Sequence, residues 1–260
     1  AFANTLGHTS SVFHSSAGLH DYAALTSAQV LKERQQSYSL FVDYSDNSLP
    51  TTQAEIGQNN HLVQSNLTAS IGFKHGWELG VQLPLVLAQS TNQSADLSQF
   101  IDFGNTEFSA YGKWNSLKLE QFSLSMASYL YLNRLQDDSY HGINSKLGVG
   151  AELIARYLLG GSLELTSTLG FRLQQRGEDS PEALISPVGD RLSWGTGVRK
   201  SLENGKTSIS AEVYGSLFLA EKWRNETSKG TSPAEILIAA QRRMSKLMKL
   251  HGGVSTGVSN

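Results

Sequence analysis

From residue 36 onward the chain alternates apolar with polar or small residues, and the alternation recurs in separate blocks. Ser37-Tyr38-Ser39-Leu40-Phe41-Val42-Asp43-Tyr44 puts Tyr38, Leu40, Val42 and Tyr44 on one face. Asn66-Leu67-Thr68-Ala69-Ser70-Ile71-Gly72-Phe73 and Trp77-Glu78-Leu79-Gly80-Val81-Gln82-Leu83-Pro84-Leu85 repeat the theme. Further blocks fall at 107–114, 122–126, 147–153, 163–172, 192–202, 208–217, 234–243 and 250–258, which makes eleven in all. A period of two over such blocks predicts strands whose two faces meet different surroundings.

The links between blocks carry as much information. Short ones fall at 74–76, 115–118, 159–162, 203–206 and around 246–248, and Asn204-Gly205 is a strong hairpin signal. Longer polar links, at 46–61, 89–104, 134–143, 175–190 and 220–232, alternate with them along the chain. A soluble β-sandwich is the main rival reading, and it gives no reason for such regularity. An up-and-down transmembrane barrel does, with short periplasmic turns and longer outer loops. The sequence therefore predicts an all-β, antiparallel transmembrane barrel over 36–260, with the amino terminus in the periplasm. Even strand numbers are the rule for bacterial barrels, so a type of about twelve strands is expected, with about eleven visible here.

The two faces differ in chemistry. One carries Leu67, Ala69, Ile71, Leu79, Val81, Leu83, Val149, Leu153, Leu169, Val198, Ile236 and Ile238, and is expected to face lipid. The other carries Glu78, Glu107, Lys113, Glu152, Arg156, Glu164, Arg172, Arg199, Glu212, Glu235 and Arg243. Charges of both signs do not sit unpaired in a dry core, so a wet or salt-bridged, mostly occluded lumen is expected. Trp77, Trp114, Tyr157 and Phe218 lie near block ends and fit interfacial girdles.

Composition narrows the field without changing it. Charged residues are 17% of the chain, the net charge is −2, and no cysteine is present. Nucleic acid is therefore not an expected partner, and disulfides or thiolate sites are excluded. The mean hydropathy of −0.26 would suit a soluble protein, but a barrel exposes only alternate residues to lipid. The first 35 residues are rich in Ser, His and Ala with little periodicity. They are read as an amino-terminal periplasmic segment, with plugging the barrel and projecting from it both open, in which 19–31 is a candidate to order against something larger. The start at Ala1-Phe2-Ala3-Asn4, without methionine, is that of a secreted chain after its signal peptide is removed.

Candidate chemistry is sparse. His141, Asn144 and Ser145 lie where a long link meets a strand, and outer-membrane lipid hydrolases use such residues. Serine is so abundant here that the coincidence carries little weight, and no catalytic residue or enzyme activity is expected. The remaining histidines (His8, His14, His20, His61, His75 and His251) lack metal-ligand spacing. Gly148-Val149-Gly150 lies inside an alternating block and lacks the features of a nucleotide loop. Asp137-Asp138 and Glu178-Asp179 read as solvated loop charges rather than cation sites. No metal or cofactor is expected.

Residues 21–31 followed by Leu40 to Leu49, Trp77 to Leu87, Gly104 to Lys113, Glu212-Val213-Tyr214-Gly215-Ser216 and Ser232-Pro233-Ala234-Glu235-Ile236-Leu237 form a recognisable set. Together they resemble the barrel domains of certain OmpA-family outer-membrane proteins of myxobacteria and predatory bacteria. The resemblance implies an outer-membrane location, lipid and lipopolysaccharide as surroundings, and a periplasmic or outer-membrane protein as a further partner. It also implies a final strand and a peptidoglycan-binding domain after the barrel, so peptidoglycan would be reached only through a longer parent. The function expected is a structural, envelope-anchoring barrel, with a small-solute porin and a lipid-modifying enzyme as alternatives.

Overall fold

The computed structural model describes residues 16, 18–46, 60–91, 104–105, 107–133, 137–138, 142–143, 147–160, 162–174, 190–202, 205–219, 234–245 and 248–257. Eleven long strands follow in order: β1 (Gln36–Asp46), β2 (Asn60–Phe73), β3 (Trp77–Thr91), β4 (Glu107–Lys118), β5 (Phe122–Asn133) and β6 (Leu147–Gly160). They continue as β7 (Leu163–Gln174), β8 (Arg191–Leu202), β9 (Thr207–Phe218), β10 (Ala234–Arg243) and β11 (Lys249–Gly257). Consecutive strands pair antiparallel from β1 to β11, giving one curled up-and-down sheet. The all-β, barrel-like architecture expected from the periodicity is the one observed.

Burial confirms which residues share a face. Along β7 the pattern alternates strictly, with Glu164, Thr166, Thr168, Gly170, Arg172 and Gln174 buried and the residues between them more exposed. The concave face is thus polar and the convex face apolar, the reverse of a soluble sandwich. Leu79, Val81, Met126, Leu130, Val149, Leu153, Leu169, Val198, Ile209 and Ile238 all stand exposed on the outside.

The strand ends joined by the five short connections lie at one rim. Two short turns show how the local sequence makes them. His75 and Gly76 close β2 onto β3 with φ of 60° and 75°, in the left-handed region. Gly205 takes φ 81° between β8 and β9, the conformation that the Asn204-Gly205 signal anticipates. Asn204 itself lies outside the described residues.

One turn is displaced from its expected position. Residues 115–118 belong to β4, and the connection falls at 119–121. A register shift between Asn115 and Leu117 lets the ladder with β5 continue to Lys118↔Ser123. A bulge adds a residue to one strand without ending the pairing, and strict alternation cannot show it. Pro84 explains a second irregularity. The β3–β4 ladder breaks after Gln82↔Ser109, beside a residue with no N–H to give, and β3 pairs again beyond it at Leu85↔Asn105 and Val86↔Gly104.

Among the described residues β1 pairs only with β2, and β11 only with β10. Both run from the short-link rim towards the long-link rim. One strand inserted between them would be antiparallel to both, whereas direct joining would make the sheet's single parallel pair.

Candidate functional site

The concavity is filled by the chain's own amino-terminal segment. Its described part, Ser16 and residues 18–35, lies against the inner face rather than apart from it. Asp21, Tyr22, Ala23, Leu25, Ser27, Ala28 and Leu31 are all buried. The segment is not a strand. It folds on itself, with Tyr22 N–H donating to the Leu25 carbonyl (2.9 Å) and Ser16 N–H to that of Ala23 (3.1 Å). The Asp21 carboxylate accepts from the N–H groups of Gly18 (2.6 Å) and Ser27 (2.8 Å).

A segment without a β-ladder must satisfy its buried backbone groups elsewhere. The charged residues of the wall do this. Glu212 on β9 accepts from the N–H groups of Ala23 (3.1 Å), Ala24 (2.8 Å) and Leu25 (3.2 Å), and from Ser210 Oγ (2.9 Å). Glu78 on β3 accepts from Leu31 N–H (2.8 Å) and from the Tyr111 hydroxyl (2.9 Å). Donors meet the segment's carbonyls: Arg199 reaches His20 (2.9 Å) and Asp21 (2.6 Å), and Lys249 reaches Leu19 (2.8 Å). Asn115 Nδ2 and Ser125 Oγ share the Ala28 carbonyl at 2.9 and 2.6 Å.

The ion pairs interlock with these bonds. Lys113 Nζ, 1% exposed, lies 3.6 Å from Asp21 and 3.7 Å from Glu78, and donates to the Ser27 carbonyl. Glu164 holds Arg156 at 2.6 Å and Arg199 at 3.8 Å, and the Arg199 guanidinium lies 3.8 Å from the centre of the Tyr22 ring. Four carboxylates (Asp21, Glu78, Glu164, Glu212) therefore face four cations (Lys113, Arg156, Arg199, Lys249) around the segment. Burial drives the His20 imidazole pKa down to about 4, and the Lys249 charge adds to the effect.

Close approach of backbone fixes where the segment leaves. At Gly72, near the end of β2, a Cβ would sit 2.2 Å from the Lys32 carbonyl oxygen and 2.6 Å from that of Leu31. Arg34 N–H donates to the Gly72 carbonyl (2.8 Å), and Gly72 N–H donates to that of Gln35 (2.9 Å). Gly195 makes similar room for Leu25, whose Cδ2 would lie 2.3 Å from an added Cβ.

The inward charges expected from the alternation divide by depth. Glu78, Glu107, Lys113, Glu164, Arg172 and Glu212 are buried. Arg156 and Arg199 are half-buried in their pairs with Glu164. Glu152 and Glu235, also half-buried, accept from the hydroxyls of Tyr129 (2.9 Å) and Tyr214 (2.8 Å). Arg243 is exposed, because it ends β10 beside the single-sided edge strand where no further wall covers it. Trp77 and Trp114 stack across β3 and β4 at 5.7 Å and stand exposed near short turns, and Tyr157 is exposed as well. The Phe218 side chain lies outside the described residues, as do the side chains of Asp137 and Asp138. His141, Asn144, Ser145 and Glu178-Asp179 lie outside them entirely, so the catalytic and loop-cation readings have no geometry here. Among the described residues no cluster of three or more His, Asp or Glu side chains could hold a metal ion.

Sequence reasoning misses Asp21, Tyr129, Tyr131, Arg191 and Lys249. Tyr129 and Tyr131 were legible, since the alternation of β5 continues past Met126 to Leu132. Asp21 carries no signal, because its role depends on a wall 57 or more residues away that only folding brings near. No family model matches the chain, and no curated protein matches it.

Proposed function

We propose that this chain is an outer-membrane β-barrel of a Gram-negative envelope, stoppered by its own amino-terminal segment and serving a structural, anchoring role. The observation that carries the reading is the inversion of faces: an exposed apolar exterior around a buried, charged interior. Soluble monomers rarely expose continuous apolar surface beyond a few hundred Å². Lipid removes the cost of such surface, provided that no backbone is left unpaired within it. The long strands suit this setting, since about 9–11 tilted residues cross a bilayer core. In lipid the single-sided edges of β1 and β11 require one more strand between them, and its antiparallel direction makes a twelve-strand cylinder. The stacked Trp77 and Trp114 support an interfacial girdle on the short-turn side, and the shortness of those turns supports a periplasmic exit for the amino-terminal segment.

Occlusion supports anchoring over bulk transport. Residues 18–31 cross the lumen and are tied to β3, β4, β5, β8, β9 and β11 by hydrogen bonds of 2.6 to 3.4 Å. A small-solute channel would need this segment to leave. The test is a heat-modifiability gel on the membrane fraction of the full-length product, followed by planar-bilayer conductance. A mobility shift on boiling with no steady conductance is expected. A soluble protein without a shift overturns the membrane reading, and a stable open conductance overturns the stoppered one.

A further inference from the structure

The amino-terminal segment fills the short-link half of the concavity and leaves a cavity of ≈ 170 Å³ in the long-link half. Asp21, Ala24, Leu25 and Thr26 form part of its lining, so the segment floors it. Its lining includes three carboxylates, Asp21, Glu107 and Glu152, and two guanidinium groups. Arg172 on β7 and Arg191 on β8 are direct cross-strand partners, and both line the cavity. Like charges placed opposite one another on a sheet are destabilising. Arg172 is neutralised, since its guanidinium grips the Glu107 carboxylate across the cavity and lies 3.8 Å from the centre of the Tyr131 ring. No comparable carboxylate grips Arg191 among the described residues. The corner thus sets two guanidinium groups, Arg172 and Arg191, against the one carboxylate of Glu107, which attracts both.

Packing around this corner is set by two glycines. Gly148 and Gly150 occupy inward positions of β6, and an added Cβ would meet the Tyr131 side chain at 3.5 and 3.2 Å. Without side chains there, Tyr131 lies down over β6, stacks on Tyr129 at 5.8 Å and reaches Arg172. The pair that superficially suggests a nucleotide loop is the floor under two stacked aromatic rings. The rest of the wall offers hydroxyl groups from Ser109, Thr168, Ser193 and Ser216, the Gln82 amide, and the Glu152 carboxylate, which accepts from the Tyr129 hydroxyl at 2.9 Å.

We infer that this blind cavity is a binding site for a small hydroxylated carboxylate of the sugar-acid kind, with Arg191 as the anchor of the carboxylate. The guanidinium presents a planar fork that matches a carboxylate in two parallel hydrogen bonds. The wall hydroxyls donate to and accept from the ligand's own hydroxyls. The segment below prevents passage, so the site holds its ligand rather than conducting it. The inference rests on the fold and not on the membrane setting.

The experiment is isothermal titration of the full chain, refolded in detergent micelles, with glucuronate as probe and glucose as neutral control. Saturable glucuronate binding is expected, with glucose binding far more weakly. Arg191→Gln should weaken glucuronate by roughly ten- to a hundredfold, the scale of losing hydrogen bonds to a charged group. Arg191→Lys should recover part of that loss, while Arg243→Gln, outside the cavity, should leave binding unchanged. Each variant is first required to keep the wild-type near-ultraviolet spectrum. Absence of saturable binding at millimolar glucuronate overturns the proposal. So does equal binding of glucose, or binding unmoved in a folded Arg191→Gln protein. None of these results bears on the conductance record, so the anchoring reading stands or falls separately.

Discussion

Replacing Glu212 by Ala should release the amino-terminal segment without unfolding the sheet. The carboxylate accepts three consecutive backbone N–H groups, from Ala23, Ala24 and Leu25, at 3.1, 2.8 and 3.2 Å. Leaving one buried donor unsatisfied costs about 1–3 kcal/mol. Three such donors, with partial rescue by water, put the loss at about 3–6 kcal/mol. Ordering the segment already opposes docking by about 1–2 kcal/mol per residue, so a loss of this size is enough to shift the balance. The wall itself should survive, because the β8–β9 and β9–β10 ladders that flank Glu212 are backbone interactions. The assay is amide hydrogen exchange followed by mass spectrometry, with peptides from 18–31 compared against peptides from β7 to β9. Exchange should rise by orders of magnitude in 18–31 and stay slow in the strands, with new conductance in planar bilayers. Unchanged protection of 18–31 would refute the argument that Glu212 holds the segment. Equal loss of protection in the strands would refute the claim that the wall stands without it.

Three further outcomes follow from the same site. Lys113→Met strands the Asp21 and Glu78 carboxylates without their shared cation; breaking a buried pair this way typically costs about 3–5 kcal/mol, read as a lower urea midpoint for the loss of heat-modifiability. Acid should loosen the segment through His20, whose folded pKa of about 4 lies below its ordinary 6.5 because burial disfavours the charged ring. The neutral form favours docking, so this contribution is complete above pH 6.5 and lost as pH falls towards 4. Protease cleavage within 18–31 should rise over that window and lose part of its pH dependence in His20→Asn. Gly72→Ala drives a methyl group into the Lys32 and Leu31 carbonyls at 2.2 and 2.6 Å, and should shift the segment's exit, seen as faster exchange at 31–35 with the β1–β2 ladder intact.

The strands are legible in the sequence because each is a local object with a boundary on both sides. A residue pointing to lipid and its neighbour pointing to the interior differ in polarity, and the period of two follows from the pleat. For that reason the alternation alone assigns Glu78, Lys113, Glu164, Arg172 and Glu212 to the inner face, and they are buried there. The rims are legible too, since Asn204-Gly205 and the alternation of short with long links depend on chain-local turn chemistry. Where alternation slips by one residue, as at Asn115 and Leu117, the pattern puts the turn too early. Only the tertiary structure decides what the inner charges do. Residues 18–31 carry no periodicity because they are paired with side chains rather than with a ladder. Glu212 meets Ala23 across 189 positions, and Ser125 meets Ala28 across 97. Such contacts depend on how the sheet curls, a property of all eleven strands together. The alternation settles which way a side chain faces, and the curvature settles what it finds there.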